Sequence, residues 1–244
     1  MSDSVPVAPR FLDRHFRWRS HSVSRLEGFT DAVFAIVLAL LFLRAAPAEN
    51  FTELRAAMKS LVPFAVTFTI IGYVWVEHWI WSRRYDLHDR WTTFLNLLLL
   101  FLLLSYAYPL KFLFTFLTVQ ILGPIGALTP SQMAVGMDAL DHARLFTFYG
   151  FGYGAIFLVL ALLYVRALQR RTELALSPLE VHLTRAAIAQ CLIHTAVAAL
   201  SIALARLQTT PNGLPGWIYG TIGPLMAVHG VWEARGLRRH LATT

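Results

Sequence analysis

The stretch Arg25–Leu43 reads R-L-E-G-F-T-D-A-V-F-A-I-V-L-A-L-L-F-L, and its composition decides the fold class. It is long enough to cross a bilayer as a helix, yet it opens with Arg25, Glu27 and Asp31. A carboxylate in a spanning helix costs about 3 kcal/mol on insertion scales. That cost is tolerable only where the charge faces protein or water, so this helix is expected to be wrapped by others. At about 100° per residue, Glu27, Asp31 and Leu38 fall on one side. On the other side, Gly28, Ala32, Ala35 and Ala39 flank a line of Phe29, Ile36, Leu40 and Leu43. The polar side should bond to neighbouring helices, and the small side can lie close to another helix or another copy of itself.

The whole chain fits that reading. Its 244 residues are 57% hydrophobic and only 14% charged, with a mean hydropathy of +0.55, the profile of a polytopic helical membrane protein. The net charge of +7 comes from basic residues that flank apolar runs, so membrane topology accounts for it and a nucleic-acid partner is not implied. The one cysteine, Cys191, cannot form an intrachain disulfide and lies in an apolar run as a packing residue.

Residues 1–23 form a polar tail in which Phe11, Phe16 and Trp18 alternate with Arg14, Arg17 and Arg19. This tail reads either as a segment lying on anionic lipid or as a free basic arm that sets topology. Ala46-Pro47-Ala48 resembles a signal cleavage site, but the long preceding polar region and the acids at 27 and 31 count against it. A short amphipathic piece, Phe51–Lys59, leads into a second span over about Leu61–Trp81 that ends W-V-E-H-W-I-W, with Glu77 and His78 in need of partners. A charged loop follows, then a third span from about Trp91 that carries Asn96 and is kinked or ended by Pro109. Gly123–Arg144 reads as a loop, Leu145–Leu168 as the fourth span with close-packing Gly150, Gly152 and Gly154, Ala186–Ala205 as the fifth, and Leu214–Trp232 as the sixth.

Chemistry-bearing constellations are sparse. Glu77 and His78 lack H-x-x-x-H or C-x-x-C company, so a metal site is not indicated. His194 and His229 lie within spans and read as hydrogen-bonded packing residues. Ser105 and Cys191 have no base at readable spacing, so no enzyme chemistry is expected.

The motif Arg25-x-x-x-Phe29-Thr30-Asp31 resembles the R-x-x-x-F-S-D signature that opens the first helix of the TMEM175-like potassium channel family, with Thr30 keeping the hydroxyl. Trp75 and His78, Asn96 and Pro109 follow in the family's order at compatible spacings. The resemblance implies a homotetrameric, potassium-permeable channel whose pore is lined by the first helix and closed by bulky aliphatic side chains, with no cofactor. It places the gate at Ile36, five positions after Asp31, and the next turns at Ala39, Leu40 and Leu43. Alanine at 39, where members often carry a hydroxyl, puts selectivity for potassium over sodium in question. Arg25, Phe29, Thr30 and Asp31 would hold the first helix against its neighbours, with Trp75, His78 and Asn96 as partners.

The sequence thus predicts an all-α, six-span protein of the cell membrane, with basic tails at 1–23 and 233–244 around a channel domain at 24–232. Its partners would be copies of itself and membrane lipid. Two rivals stand beside the channel: a transporter or proton pathway using Asp31, Glu77 and His78, and a membrane interaction protein that conducts nothing. Fifteen of the 21 basic residues fall in the N-terminal stretch through Arg25, the second-to-third loop, the fourth-to-fifth connection from Arg166 and the C-terminal tail. By the positive-inside rule, both ends are cytoplasmic. Reporter tags at residues 1 and 244 should both read as cytoplasmic; an external tag at either end contradicts six spans.

Overall fold

A computed structural model of the chain describes residues 16–20, 22–42, 50–122, 139–207 and 214–242. Leu43, the Ala46–Ala48 stretch, residues 1–15 of the tail, the loop expected at 123–138 and the last two residues lie outside them. The described residues are helical with no strand: α1 Arg25–Phe42, α2 Phe51–Tyr85, α3 Arg90–Leu122, α4 Ala139–Gln169, α5 Pro178–Arg206, a single turn α6 Leu214–Trp217, a 3-10 turn Ile218–Thr221, and α7 Ile222–Ala242. Four segments are long and apolar enough to cross a membrane: Ala57–Tyr85, Arg90–Ala107, Ala143–Gln169 and Pro178–Arg206. α1 is not among them because Arg25, Glu27 and Asp31 fall within its 18 residues.

Several elements run past their sequence-derived ends. Phe51–Lys59 is not a separate amphipathic piece but the start of α2, which continues through Pro63. α3 likewise continues through Pro109. Each proline removes one backbone donor. The carbonyls of the prolines themselves are taken by side chains, Thr67 Oγ1 donating to Pro63 O at 2.7 Å and Tyr149 Oη to Pro109 O at 2.5 Å. Residues 139–144, expected as loop, form the first turns of α4, where Arg144 pairs with Asp141 at 3.2 Å.

Apolar burial gives little drive for helix association in lipid, so close packing and polar contacts must hold the bundle. α4 packs closely against two neighbours. A Cβ on Gly150 would lie 2.6 Å from Ile202 of α5, and one on Gly152 would lie 2.3 Å from the Tyr106 ring of α3. The Tyr106 hydroxyl then donates to Tyr149 O at 2.7 Å. The glycines are packing residues, as the sequence reading expects.

The tail segment Phe16–Ser20 is docked on the bundle and is not a free arm. Phe16 is buried against Tyr85, edge to face at 5.4 Å, and Trp18 meets Trp79 at 5.5 Å. Arg19 and Ser20 donate backbone N–H groups to Arg83 O. The Arg19 guanidinium reaches Leu174 O and Arg84 O and forks onto Glu180. Glu180 also accepts from Ser177 N, completing a capping box that starts α5 at Pro178. One carboxylate therefore ties the tail, the α4–α5 connection and α5 together.

At the start of α3, Asp89 accepts from the N–H groups of Trp91 and Thr92 at 2.9 and 3.0 Å and pairs with Arg166 of α4 at 3.1 Å. Burial raises the Asp89 carboxyl, but the Thr92 N–H and the Arg166 guanidinium outweigh it and hold the group below its usual range. A depressed folded value means the contribution is full above the unfolded value of about 3.9 and lost as pH falls through the folded one. Asp89→Ala should cost about 0.5–2 kcal/mol through the lost cap alone. Thermal unfolding of purified protein should show a lower midpoint at neutral pH, with the difference from wild type shrinking as pH falls below the unfolded carboxyl value of about 3.9.

Candidate functional site

The backbone of α1 starts at a cap: Ser24 Oγ accepts from Glu27 N at 3.1 Å. From there, two faces diverge. Glu27, Thr30, Val33, Phe34, Val37 and Leu41 are buried against the rest of the chain. Arg25, Gly28, Phe29, Ala32, Ala35, Ile36, Ala39 and Leu40 are exposed. Ile36 is 53% exposed and Leu40 57%. The bare stripe follows helical spacing over four turns and contains the small residues and the aliphatic line together. Leu38 sits off the stripe, half-buried and packed against the core.

The buried face is held by polar contacts at both ends. The Glu27 carboxylate lies 3.2 Å from Arg83 Nε with a side chain 2% exposed. Neither of its oxygens has an aligned hydrogen bond, so the contact is one of charge. Asp31 Oδ1 accepts from Trp75 Nε1 of α2 at 2.8 Å. Thr30 Oγ1 donates to Leu26 O at 2.8 Å and is fully buried. At the far end, Lys111 of α3 donates to Leu41 O.

The signature residues are therefore brought into one neighbourhood, but not all as direct partners. Trp75 bonds Asp31; His78 and Asn96, also expected as Asp31 partners, bond each other. His78 Nε2 and Asn96 Oδ1 are 2.5 Å apart, and Asn96 Nδ2 donates to Thr92 O at 2.8 Å. His78 reaches α1 through packing, its ring centroid 6.4 Å from Phe34. Trp75 is the better donor for Asp31 because its indole N–H has no acceptor function to satisfy elsewhere. Arg25 is exposed and has no carboxylate partner among the described residues, and Phe29 is likewise exposed.

Adjacent positions on a helix point about 100° apart, and Glu77 accordingly faces away from His78. Gln190 Nε2 of α5 donates to Glu77 Oε1 at 2.9 Å, and the Tyr164 hydroxyl of α4 donates to Oε2 at 3.4 Å. Asp31, His78 and Glu77 do not form one connected relay. His194 sits in packing as expected, hydrogen-bonded to Tyr153 at 2.6 Å and stacked on Phe157 at 4.1 Å. Among the described residues, no three His, Cys, Asp or Glu side chains converge as a metal site. Sequence reading missed the Arg83–Glu27 and Arg19–Glu180 pairs. The S-x-x-E patterns at Ser24–Glu27 and Ser177–Glu180 signal the two helix starts, but nothing local points to the distant arginines.

Comparison with known proteins identifies the family. Residues 25–106, which hold α1 and the Trp75, His78 and Asn96 positions, match the family described as endosomal/lysosomal potassium channel TMEM175. A potassium channel of Marivirga tractuosa is 35% identical over 94% of this chain and 95% of its own. A potassium channel of Streptomyces collinus is 31% identical over 46% of this chain and 58% of its own. The crystal structure of a threonine-to-alanine variant of the potassium channel MtTMEM175, in complex with a nanobody fusion, superposes with a TM-score of 0.80. It shares 35% identity, over 92% of this chain and 99% of that one. The chain belongs to the TMEM175 family of potassium channels, which are not enzymes.

Proposed function

We propose that the protein is a potassium-permeable channel of the cell membrane, built from four copies with α1 of each lining a central pore. Six spans per copy and cytoplasmic ends complete the arrangement, with potassium as the permeant ion and no cofactor. The observation that carries this reading is the bare stripe of α1. A helix with two carboxylates on its covered face leaves Gly28, Ala32, Ala35, Ile36, Ala39 and Leu40 uncovered by its own chain. Small residues let helices of neighbouring copies approach closely. An exposed aliphatic line between them suits a narrow axis. No internal repeat of the R-x-x-x-F-T-D stretch exists in the sequence, so a central axis needs several chains.

Ile36 is the constriction in this reading, and Leu40 and Leu43 extend it. A ring of isoleucines narrow enough to exclude water stops ions by dewetting, since an ion cannot shed its hydration shell against hydrocarbon. Ala39 contributes a methyl group where a hydroxyl could have coordinated an ion, so selectivity would rest on the constriction itself. Thr30, Asp31, Trp75, His78 and Asn96 hold the pore helix in place within each copy, Arg25 and Phe29, exposed there, would do so against a neighbouring copy, and none of them touches the ion. A proton relay through Asp31, His78 and Glu77 finds no support, because Glu77 turns toward α4 and α5.

Ile36→Asn should let water into the ring and raise potassium flux in liposomes, whereas Leu38→Asn, off the stripe, should damage packing without opening the pore. Equal flux for wild type and an assembled Ile36→Asn, or greater flux for Leu38→Asn, would mean that the pore-facing stripe is wrong. Asp31→Ala removes the acceptor of the Trp75 bond and should cost about 1.5 kcal/mol or more per copy. It should be read as loss of oligomer on size exclusion, with wild-type assembly and flux counting against the supporting role.

A further inference from the structure

An open cleft of about 630 Å³ lies where the α4–α5 connection meets α5, lined by Arg171, Thr172, Leu176, Pro178, His182 and Arg185 among others. It is separate from α1 and plays no part in the proposed pore. Its two arginines differ from those around them. Arg19, Arg83, Arg166 and Arg170 each pair with a carboxylate. Arg171 and Arg185 line the same cleft, are exposed, and have no carboxylate partner among the described residues. Two arginines lining one cleft without a carboxylate partner suit an oxyanion, since their forked N–H groups match phosphate geometry.

The surroundings indicate which oxyanion. Arg185 is the last charged residue of α5 before the apolar run from Ala186 to Ala205, which puts it at the depth where a spanning helix leaves the headgroup layer. The His182 ring on the cleft wall meets Trp232 of α7 at 5.7 Å. Below Trp232 on the same face of α7 come Val228 and Leu225, at helical spacing. All three are exposed, Val228 by 70%. A basic cleft thus opens directly above an uncovered apolar stripe with a tryptophan at the junction, the order of groups in a phospholipid from headgroup to acyl chain.

We propose that this cleft binds the phosphate of an anionic phospholipid, with Arg171 and Arg185 on the phosphate oxygens and an acyl chain along Trp232, Val228 and Leu225. The inference rests on the reading of the chain as a membrane protein but not on the pore assignment, so its failure leaves Ile36 untouched. Because Leu174 O in the same connection accepts from Arg19, an occupied cleft would also steady the docked tail.

The test uses delipidated, purified oligomer and native mass spectrometry, with phosphatidylglycerol, phosphatidylcholine and inorganic phosphate as probes. Wild type should retain phosphatidylglycerol over phosphatidylcholine. Arg171→Gln with Arg185→Gln should weaken phosphatidylglycerol by about tenfold or more, and Arg55→Gln, which removes one charge from the first turns of α2, should leave it unchanged. Millimolar inorganic phosphate should not displace the lipid. Equal retention in the double variant, equal loss in Arg55→Gln, or displacement by phosphate alone would overturn the lipid site. Hydrogen exchange on the wild type guards against a variant that does not assemble. Phosphatidylglycerol, unlike phosphatidylcholine, should slow exchange of the amides in 170–185, and no difference between the two lipids would equally overturn the proposal.

Discussion

Two carboxylates on one helix, Glu27 and Asp31, set the terms for the rest of this structure. An uncovered charge in an apolar setting is costly, and it is relieved by a partner supplied from another helix. α2 supplies both partners: Arg83 stands 3.2 Å from Glu27, and Trp75 donates to Asp31. These contacts fix which side of α1 is covered. Since the covered side is decided by the charges, the opposite side is decided as well, and it is the side that carries Gly28, Ala32, Ala35, Ile36, Ala39 and Leu40.

The same rule organises the end of the bundle where α2 stops and α5 begins. Arg19, Arg83 and Arg166 take Glu180, Glu27 and Asp89, one pair for each of three junctions. The Glu180 and Asp89 pairs are partly shielded from solvent and supported by backbone bonds, which makes each worth more than a free surface pair. The covered face of α1 reaches this end through Glu27 and the other end through Lys111, which donates to Leu41 O. α1 is thus pinned at both ends by other helices, while its bare stripe stays exposed on its own chain.

Much of this was legible in the sequence. Charges in an apolar 19-residue run required a wrapped helix, and its two sides separated on the wheel as they do in the fold. The Gly150, Gly152 and Gly154 series read as close packing and is. Other features were hidden for physical reasons. The helix starts at Phe51 and Ala139 lie in polar and charged turns that precede the apolar stretch hydropathy detects. Docking of Phe16–Ser20 depends on Glu180, 161 residues away from Arg19, and no local pattern encodes such a pairing. Trp75 as the Asp31 partner, in place of His78 or Asn96, turned on the order of residues around α2: His78 lies on the side that meets Asn96, and Trp75 on the side that meets Asp31.

The central claim is that the bare stripe of α1 is where copies of the chain face one another around the ion path. Single cysteines in a Cys191→Ser background test it most directly, because disulfides form only between Cα atoms within about 7 Å. Mild oxidation of Ile36→Cys in membranes should give covalent dimers, and oxidation of Val37→Cys, on the buried face, should give none. Dimers from Val37→Cys and none from Ile36→Cys would contradict the account.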